Sequence, residues 1–108
     1  MNDLTIIIPT YNRNKLFERC LLSAISIFKD KVNYIIGNSG IDNIKNIITS
    51  KFYNYNILYL NLSKYECNMY MIYKNLLDKV TTKYVLILED DDMLVNQQFH
   101  LNILKQIH

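Results

Sequence analysis

The chain has 108 residues, half of them hydrophobic and a fifth charged, with a formal net charge of +2. That length supports one domain, burying about two-thirds of the surface its unfolded chain would expose, and the balance excludes a disordered segment. Its lysines and arginines are scattered, with no basic block or aromatic-basic interleave, which argues against nucleic acid as a partner.

Asp3 precedes the apolar run Leu4 to Ile8, which reads as a strand stopped by Pro9 and is too short for a signal peptide or a membrane span. Asn12 or Asn14 can then cap a helix whose Phe17, Cys20, Leu21, Ala24 and Phe28 fall on one face. Asn33 to Ile36 reads as a second strand, ended by a Gly37-Asn38-Ser39-Gly40 turn, and Asp42 can cap a short helix carrying Ile44, Ile47 and Ile48. Asn56 to Leu60 is the third strand. Ser63 and Glu66 have the spacing of a capping box ahead of a helix with Met69, Ile72, Tyr73, Leu76 and Val80 on one side. Tyr84 to Leu88 is the fourth strand, apolar throughout and so expected to be covered on both faces. Asn96 can cap a last helix built on Phe99, Ile103, Leu104 and Ile107.

Short apolar runs alternating with helical patterns are the rhythm of βαβ units. The expected fold is α/β, a three-layer sandwich with a mostly parallel, Rossmann-like sheet of about four strands. Ligands in such sheets sit at the carboxyl ends of the strands, where strand order reverses. If the first strand is central and the fourth lies beside it, the Pro9 to Arg13 loop and the Glu89 to Asp92 loop face one crevice.

Cys20 and Cys67 stand far apart and form no Cys-x-x-Cys pair, so neither zinc nor a redox motif is indicated and an intracellular chain is expected. Cys20 reads as a helix-packing thiol. The stretch "YVLILEDDDMLV" then aims Glu89, Asp90, Asp91 and Asp92 out of the fourth strand. One reading is a hydrated turn whose last Asp caps a helix. The other is a set of hard oxygen donors for Mg²⁺ or Mn²⁺, whose remaining ligands come from a diphosphate. A P-loop and a GxGxxG fingerprint are both absent. Nucleophile schemes lack a base, since His100 and His108 fall in the terminal helix and His100 reads as a helix-surface residue.

Together, "LTIIIPTYNRNKLFERCLLSAI" and "KVTTKYVLILEDDDMLV" resemble the opening half of a family 2 glycosyltransferase of the GT-A fold, and the likeness covers essentially the whole chain. The family transfers a sugar from a nucleotide-diphosphate sugar, commonly UDP- or GDP-linked, to an acceptor. By position, the resemblance puts Pro9, Thr10 and Tyr11 in the loop around the nucleoside. It puts Asp90, Asp91 and Asp92 in the DxD-type metal motif, with Asp91 as direct ligand and Asp90 beside the ribose or the metal. Lys74-Asn75 stands where many members have Arg-Asn. Asn38 stands where members carry a base-reading Asp, and its amide oxygen can accept from uracil. Tyr11 remains open between a base-stacking ring and a surface turn residue, and Arg13 between a diphosphate contact and a surface charge.

The resemblance thus implies that residues 1–108 form a single nucleotide-sugar-binding domain, truncated at its C-terminus, of an inverting, metal-dependent glycosyltransferase of the polysaccharide-building kind. The cofactor is Mn²⁺ or Mg²⁺, the setting is cytoplasmic or peripheral to a membrane without a spanning segment, and the acceptor (glycan, lipid-linked or protein) is unspecified. The general base is unassigned, with Glu66 read as a cap and Asp78 as part of a solvated face. The chain alone is expected to bind without transferring, and to pair through an uncovered sheet edge. The alternatives are a non-catalytic nucleotide-sugar-binding module that needs a partner chain and a plain α/β interaction domain.

Overall fold

The computed structural model describes residues 3–41 and 43–92. Four strands, β1 (Leu4–Thr10), β2 (Asn33–Asn38), β3 (Ile57–Asn61) and β4 (Tyr84–Ile87), form one sheet in the order β3-β2-β1-β4, and every pairing is parallel. Between them lie α1 (Asn14–Phe28), α2 (Ile44–Lys51), a 3-10 turn (Ser63–Tyr65) and α3 (Met69–Asp78).

The two faces of the sheet are built from alternate residues of the same strands. Ile6, Ile8, Tyr34 and Ile36 pack with Phe17, Cys20, Leu21 and Ala24 of α1 and with Ile44 and Ile48 of α2. Their neighbours Ile7 and Ile35 pack on the opposite side with Leu62 and with Ile72 and Leu76 of α3. A strand turns successive side chains to opposite faces, so an unbroken apolar run is what a strand between two helical layers requires. The chain steps from β1 to β2 to β3 in one direction and returns to place β4 on the other side of β1. With right-handed crossovers, that reversal puts α3 on the face opposite α1 and α2. The three-layer α/β architecture expected from the sequence is the one observed.

Several local expectations give way to tertiary context. Pro9 does not stop β1; it pairs with Gly37, and the strand runs to Thr10. The Ile7 carbonyl accepts from Leu88 N on the β4 side and the Thr10 carbonyl accepts from Ser39 N on the β2 side. Two residues after Ile7, the missing N–H of Pro9 therefore faces the β4 side, beyond the last β1–β4 pair, and costs no ladder bond. β2 likewise runs on through Gly37 and Asn38. Gly37 serves packing rather than a turn, since a Cβ there would meet Leu76 Cδ2 at 2.7 Å and Leu62 Cδ1 at 3.0 Å.

Neither Asn12 nor Asn14 caps α1: Arg13 holds the N-cap position without a side-chain cap, and Asn14 is already helical. The cap of α2 is Asn43, whose side chain accepts from Asn46 N, while Asp42 lies outside the described residues. The Ser63/Glu66 capping box does not form. Ser63 opens the 3-10 turn, and Asn68 caps α3 by accepting from Met71 N. Among the described residues β4 lies at one edge of the sheet, and Ile87 is 44% exposed rather than covered. The expected last helix, with Asn96, Phe99, His100, Ile103, Leu104, Ile107 and His108, lies outside the described residues. No described helix is long and apolar enough to cross a membrane.

Candidate functional site

At the carboxyl ends of β1 and β4 the two loops face each other, as the topology requires. Burial alternates along the end of β4: Leu86 and Leu88 are buried, Ile87 and Glu89 exposed, and Asp90 buried again. Asp90 thus continues the inward set of its strand past the end of the ladder. It meets the β1 loop there. Thr10 Oγ1 donates to Asp90 Oδ2 at 3.1 Å, Tyr11 N donates to the same oxygen at 3.5 Å, and Arg13 Nη1 donates to Oδ1 at 3.2 Å. The guanidinium balances a carboxylate that burial alone would penalise.

The β1 loop is also tied to the β2 end. Asn12 sits at φ 51°, a left-handed conformation that asparagine tolerates better than most residues, and its Oδ1 accepts from Ile41 N at 3.0 Å. Ser39 N donates to the Thr10 carbonyl at 3.1 Å. Gly40 lies against Asn12 so closely that a Cβ would collide with its backbone nitrogen at 2.8 Å.

Three strand ends therefore rim a cavity of about 190 Å³, lined by Pro9, Thr10, Tyr11, Arg13, Ser39, Met69, Ile72, Glu89 and Asp90. Pockets that enclose a whole drug-sized ligand run from about 300 Å³ upward, so this one suits part of a larger, elongated molecule.

The four acids of the run point to different tasks. Glu89 Oε1 accepts from the Tyr73 hydroxyl at 2.9 Å, and burial followed by this bond pushes the Tyr73 phenol up to about 12. Asp92 Oδ2 accepts from Glu89 N at 3.0 Å while Asp92 N donates to the Glu89 carbonyl at 3.0 Å, which closes the turn on itself. The carboxylate of Asp92 thus does part of what the hydrated-turn reading expects. Asp91 is exposed, and its carbonyl accepts from Arg19 Nη2 at 3.2 Å.

Beneath the turn, Cys20 Sγ donates to the Glu89 carbonyl. Burial first, then the charges of Asp92, Asp90 and Asp91, push its thiol up to about 12, against an opposing pull from Arg19. Cys20 is a packed, protonated thiol.

Among the described residues no three potential ligands converge on one point. Mg²⁺ and Mn²⁺ bound with a diphosphate need only one or two carboxylates, and Asp91 and Asp92 are exposed hard donors that directly follow Asp90 in the chain. The donor set therefore fits such an ion.

The structure brings Pro9, Thr10, Tyr11, Arg13 and Asp90 together in the cavity and leaves Asn38, Lys74, Asp91 and Asp92 out of its lining. Asn38 is only 2% exposed, with Oδ1 accepting from Gly40 N at 2.9 Å and Nδ2 donating to the Tyr59 hydroxyl at 3.2 Å. Lys74 lies on the outer side of α3, where Asp78 holds its ammonium pKa up, and borders a separate apolar groove with Met69, Tyr70, Tyr73 and Leu77. Ser39, Met69, Ile72 and Glu89 were missed as site residues. Ser39 follows a strand's carboxyl end and Glu89 opens the acidic run, and each carried a signal; Met69 and Ile72 read as ordinary helix core.

The sequence pattern described as glycosyl transferase family 2 matches residues 5–104. No curated protein matches the chain. The fold is similar to that of S. aureus TarS 1–349, with a TM-score of 0.79 and 18% identity over 97% of this chain and 32% of that one. It is also similar to the mannosyltransferase PcManGT from Pyrobaculum calidifontis in complex with GDP-Man and Mn²⁺, with a TM-score of 0.78 and 18% identity over 95% of this chain and 31% of that one. A further S. aureus TarS structure matches with a TM-score of 0.78 and 18% identity over 98% of this chain and 20% of that one. The chain thus spans a third or less of the length of these structures.

Proposed function

Because the chain belongs to glycosyl transferase family 2, we propose that residues 1–108 form a nucleotide-sugar-binding domain serving metal-dependent, inverting transfer of a sugar to an acceptor hydroxyl. The observation that carries this reading is Asp90, a buried carboxylate fixed by Thr10 and Arg13 at the reversal between β1 and β4. A buried acid held this way at a strand-order switch is expensive as decoration and useful as a donor-site anchor.

In this reading Pro9, Tyr11 and Met69 supply the apolar wall for the nucleoside, and Arg13 lies within reach of the diphosphate. Asp91 and Asp92, with Asp90 beside them, would hold Mn²⁺ or Mg²⁺, which when bound stabilises the charge developing on the departing diphosphate. Arg13 and Thr10 keep the Asp90 carboxylate oriented. The Mn²⁺ and GDP-Man bound to PcManGT support a nucleotide-diphosphate sugar as the class of donor. No described residue is assigned as general base. The share of each relative that is matched keeps a second reading in view, a binding module whose acceptor site another chain supplies. Both cysteines are free thiols, consistent with a cytoplasmic setting.

Thermal melting with and without Mn²⁺ and a nucleoside diphosphate tests the proposal. Wild type should melt higher only when both are present. Asp91→Asn should keep the unliganded melting temperature, since it relieves repulsion in an exposed acidic turn, and lose the shift. A wild type that shows no metal-dependent shift refutes the donor-site reading.

A further inference from the structure

The acidic turn after β4 is tied to α1 by two consecutive residues that the donor reading leaves unused. Arg19 Nη2 donates to the Asp91 carbonyl at 3.2 Å, and Cys20 Sγ donates to the Glu89 carbonyl at 3.4 Å. The Glu89 carbonyl also accepts from Asp92 N, and Asp92 Oδ2 accepts from Glu89 N, so the turn is closed at its ends and held from α1 at its first and third carbonyls. Three of the four carboxylates have hydrogen bonds of their own: Glu89 with Tyr73, Asp90 with Thr10 and Arg13, and Asp92 with Glu89 N. The Asp91 carboxylate makes none among the described residues, so its direction is set through its backbone. Arg19 is exposed and borders a surface hollow with Lys15, Glu18 and Leu22, apart from the lining of the donor cavity.

We propose that Arg19 is a positioning residue of the donor site, holding the Asp91 peptide so that the Asp91 carboxylate is set for the metal ion, an inference that rests on the donor reading above. A carbonyl cannot swing without rotating the planar peptide unit between Asp91 and Asp92, and that rotation changes ψ of Asp91 and φ of Asp92. Pinning the carbonyl therefore restricts the direction in which the Asp91 side chain leaves the backbone before the metal arrives, which lowers the ordering cost of binding. Asp92 depends on Arg19 less, because its own bond to Glu89 N already fixes it. The charge of Arg19 works against this benefit, since a guanidinium beside the turn repels an incoming cation. A positioning role and an electrostatic role thus predict opposite signs when Arg19 is replaced.

Titration of the isotope-labelled chain with Mn²⁺, alone and again with UDP present, tests this by the paramagnetic broadening of the backbone amide signals of Glu89 to Asp92. Arg19→Met should need about three- to tenfold more Mn²⁺ than wild type for the same broadening in both series, with the signals of the sheet unmoved. Arg19→Lys, which keeps the charge and one donor, should recover part of the loss. An unchanged or smaller Mn²⁺ requirement in Arg19→Met overturns the inference, because Arg19 then acts by charge or not at all. A deficit confined to the UDP series also overturns it, because Arg19 then touches the nucleotide rather than the turn. Wild type whose turn signals are broadened in neither series overturns the donor reading itself, an outcome distinct from a metal site that ignores Arg19.

Discussion

Two ion pairs in this chain have similar lengths and opposite meanings. Arg13–Asp90, at 3.2 Å, joins residues from opposite ends of the described chain, and the Asp90 side chain is 9% exposed. Lys74–Asp78, at 3.1 Å, is an i,i+4 pair on α3 whose side chains are 49% and 60% exposed. The second is a helix-surface pair of the kind that contributes little, because water solvates both charges nearly as well as they solvate each other. The first exists only because the fold carries a carboxylate out of water and surrounds it with three donors from one loop. Distance alone does not separate them. Burial and the sequence span of the partners do.

The comparison breaks most visibly if Asp90 proves dispensable. Asp90→Ala removes the common acceptor of Thr10, Tyr11 N and Arg13, and should cost about 2–3 kcal/mol in urea unfolding, at the low end for a buried pair because Arg13 remains half-exposed to water. A cost no larger than that of a surface substitution would reduce the crevice to the level of the helix pair.

A smaller effect should appear in the pH dependence, where the charges of the crevice act on a group beneath it. The Cys20 thiol, ordinarily at 9.0, is pushed up to about 12 by burial and then by Asp92, Asp90 and Asp91. The folded protein keeps a proton that the unfolded chain releases, so this contribution is intact below about pH 9 and is lost as pH rises toward about 12. Tyr73, also raised to about 12, works in the same direction from its ordinary 10.0. Urea unfolding of Cys20→Ala should therefore show a shallower loss of stability as pH rises from about 9 toward about 12 than wild type does. Equal slopes would remove Cys20 from the account.

The smallest effect is expected on α3. Lys74→Ala should leave the unfolding midpoint and metal-dependent nucleotide binding unchanged, since its ammonium meets Asp78 and lies outside the cavity. Lost nucleotide binding in this variant would bring Lys74 into the donor site and erase the contrast between the two pairs.

Residues that line the cavity were legible in the sequence where they followed strand ends. Pro9 to Arg13 and Asp90 could be named because parallel sheets expose function at carboxyl ends, and the acidic run marked one such end. Among the four acids, position in the run could not tell an anchor from a turn closure. The alternation Leu86, Leu88, Asp90 holds that answer, but only once β4 is known to pack its even residues toward α1. Asn38 and Lys74 were named by position in a motif, and their side chains were instead engaged by Gly40, Tyr59 and Asp78. Glu66 looked like a helix cap because its spacing from Ser63 is right, yet its partner is Tyr11, 55 residues away.

By itself, the sequence determined the α/β class, the approximate positions of four strands and three helices, and the family. All of these rest on period-two and 3.6-residue patterns or on short motifs, which are set by local backbone geometry and by which faces must leave water. Only the tertiary structure decided that Pro9 stays in the sheet, that Asn43 is the cap position before α2 and Asn68, not Ser63, the one before α3, and that Asp90 is the acid that faces inward. The placement of Pro9 and Asp90 depends on strand register and on partners tens of residues away, whereas each cap closes on a backbone N–H three residues on, at Asn46 and Met71, once the helix start is set. A polar side chain takes whichever hydrogen-bond partner the folded chain brings within about 3 Å, and spacing along the sequence cannot specify that choice.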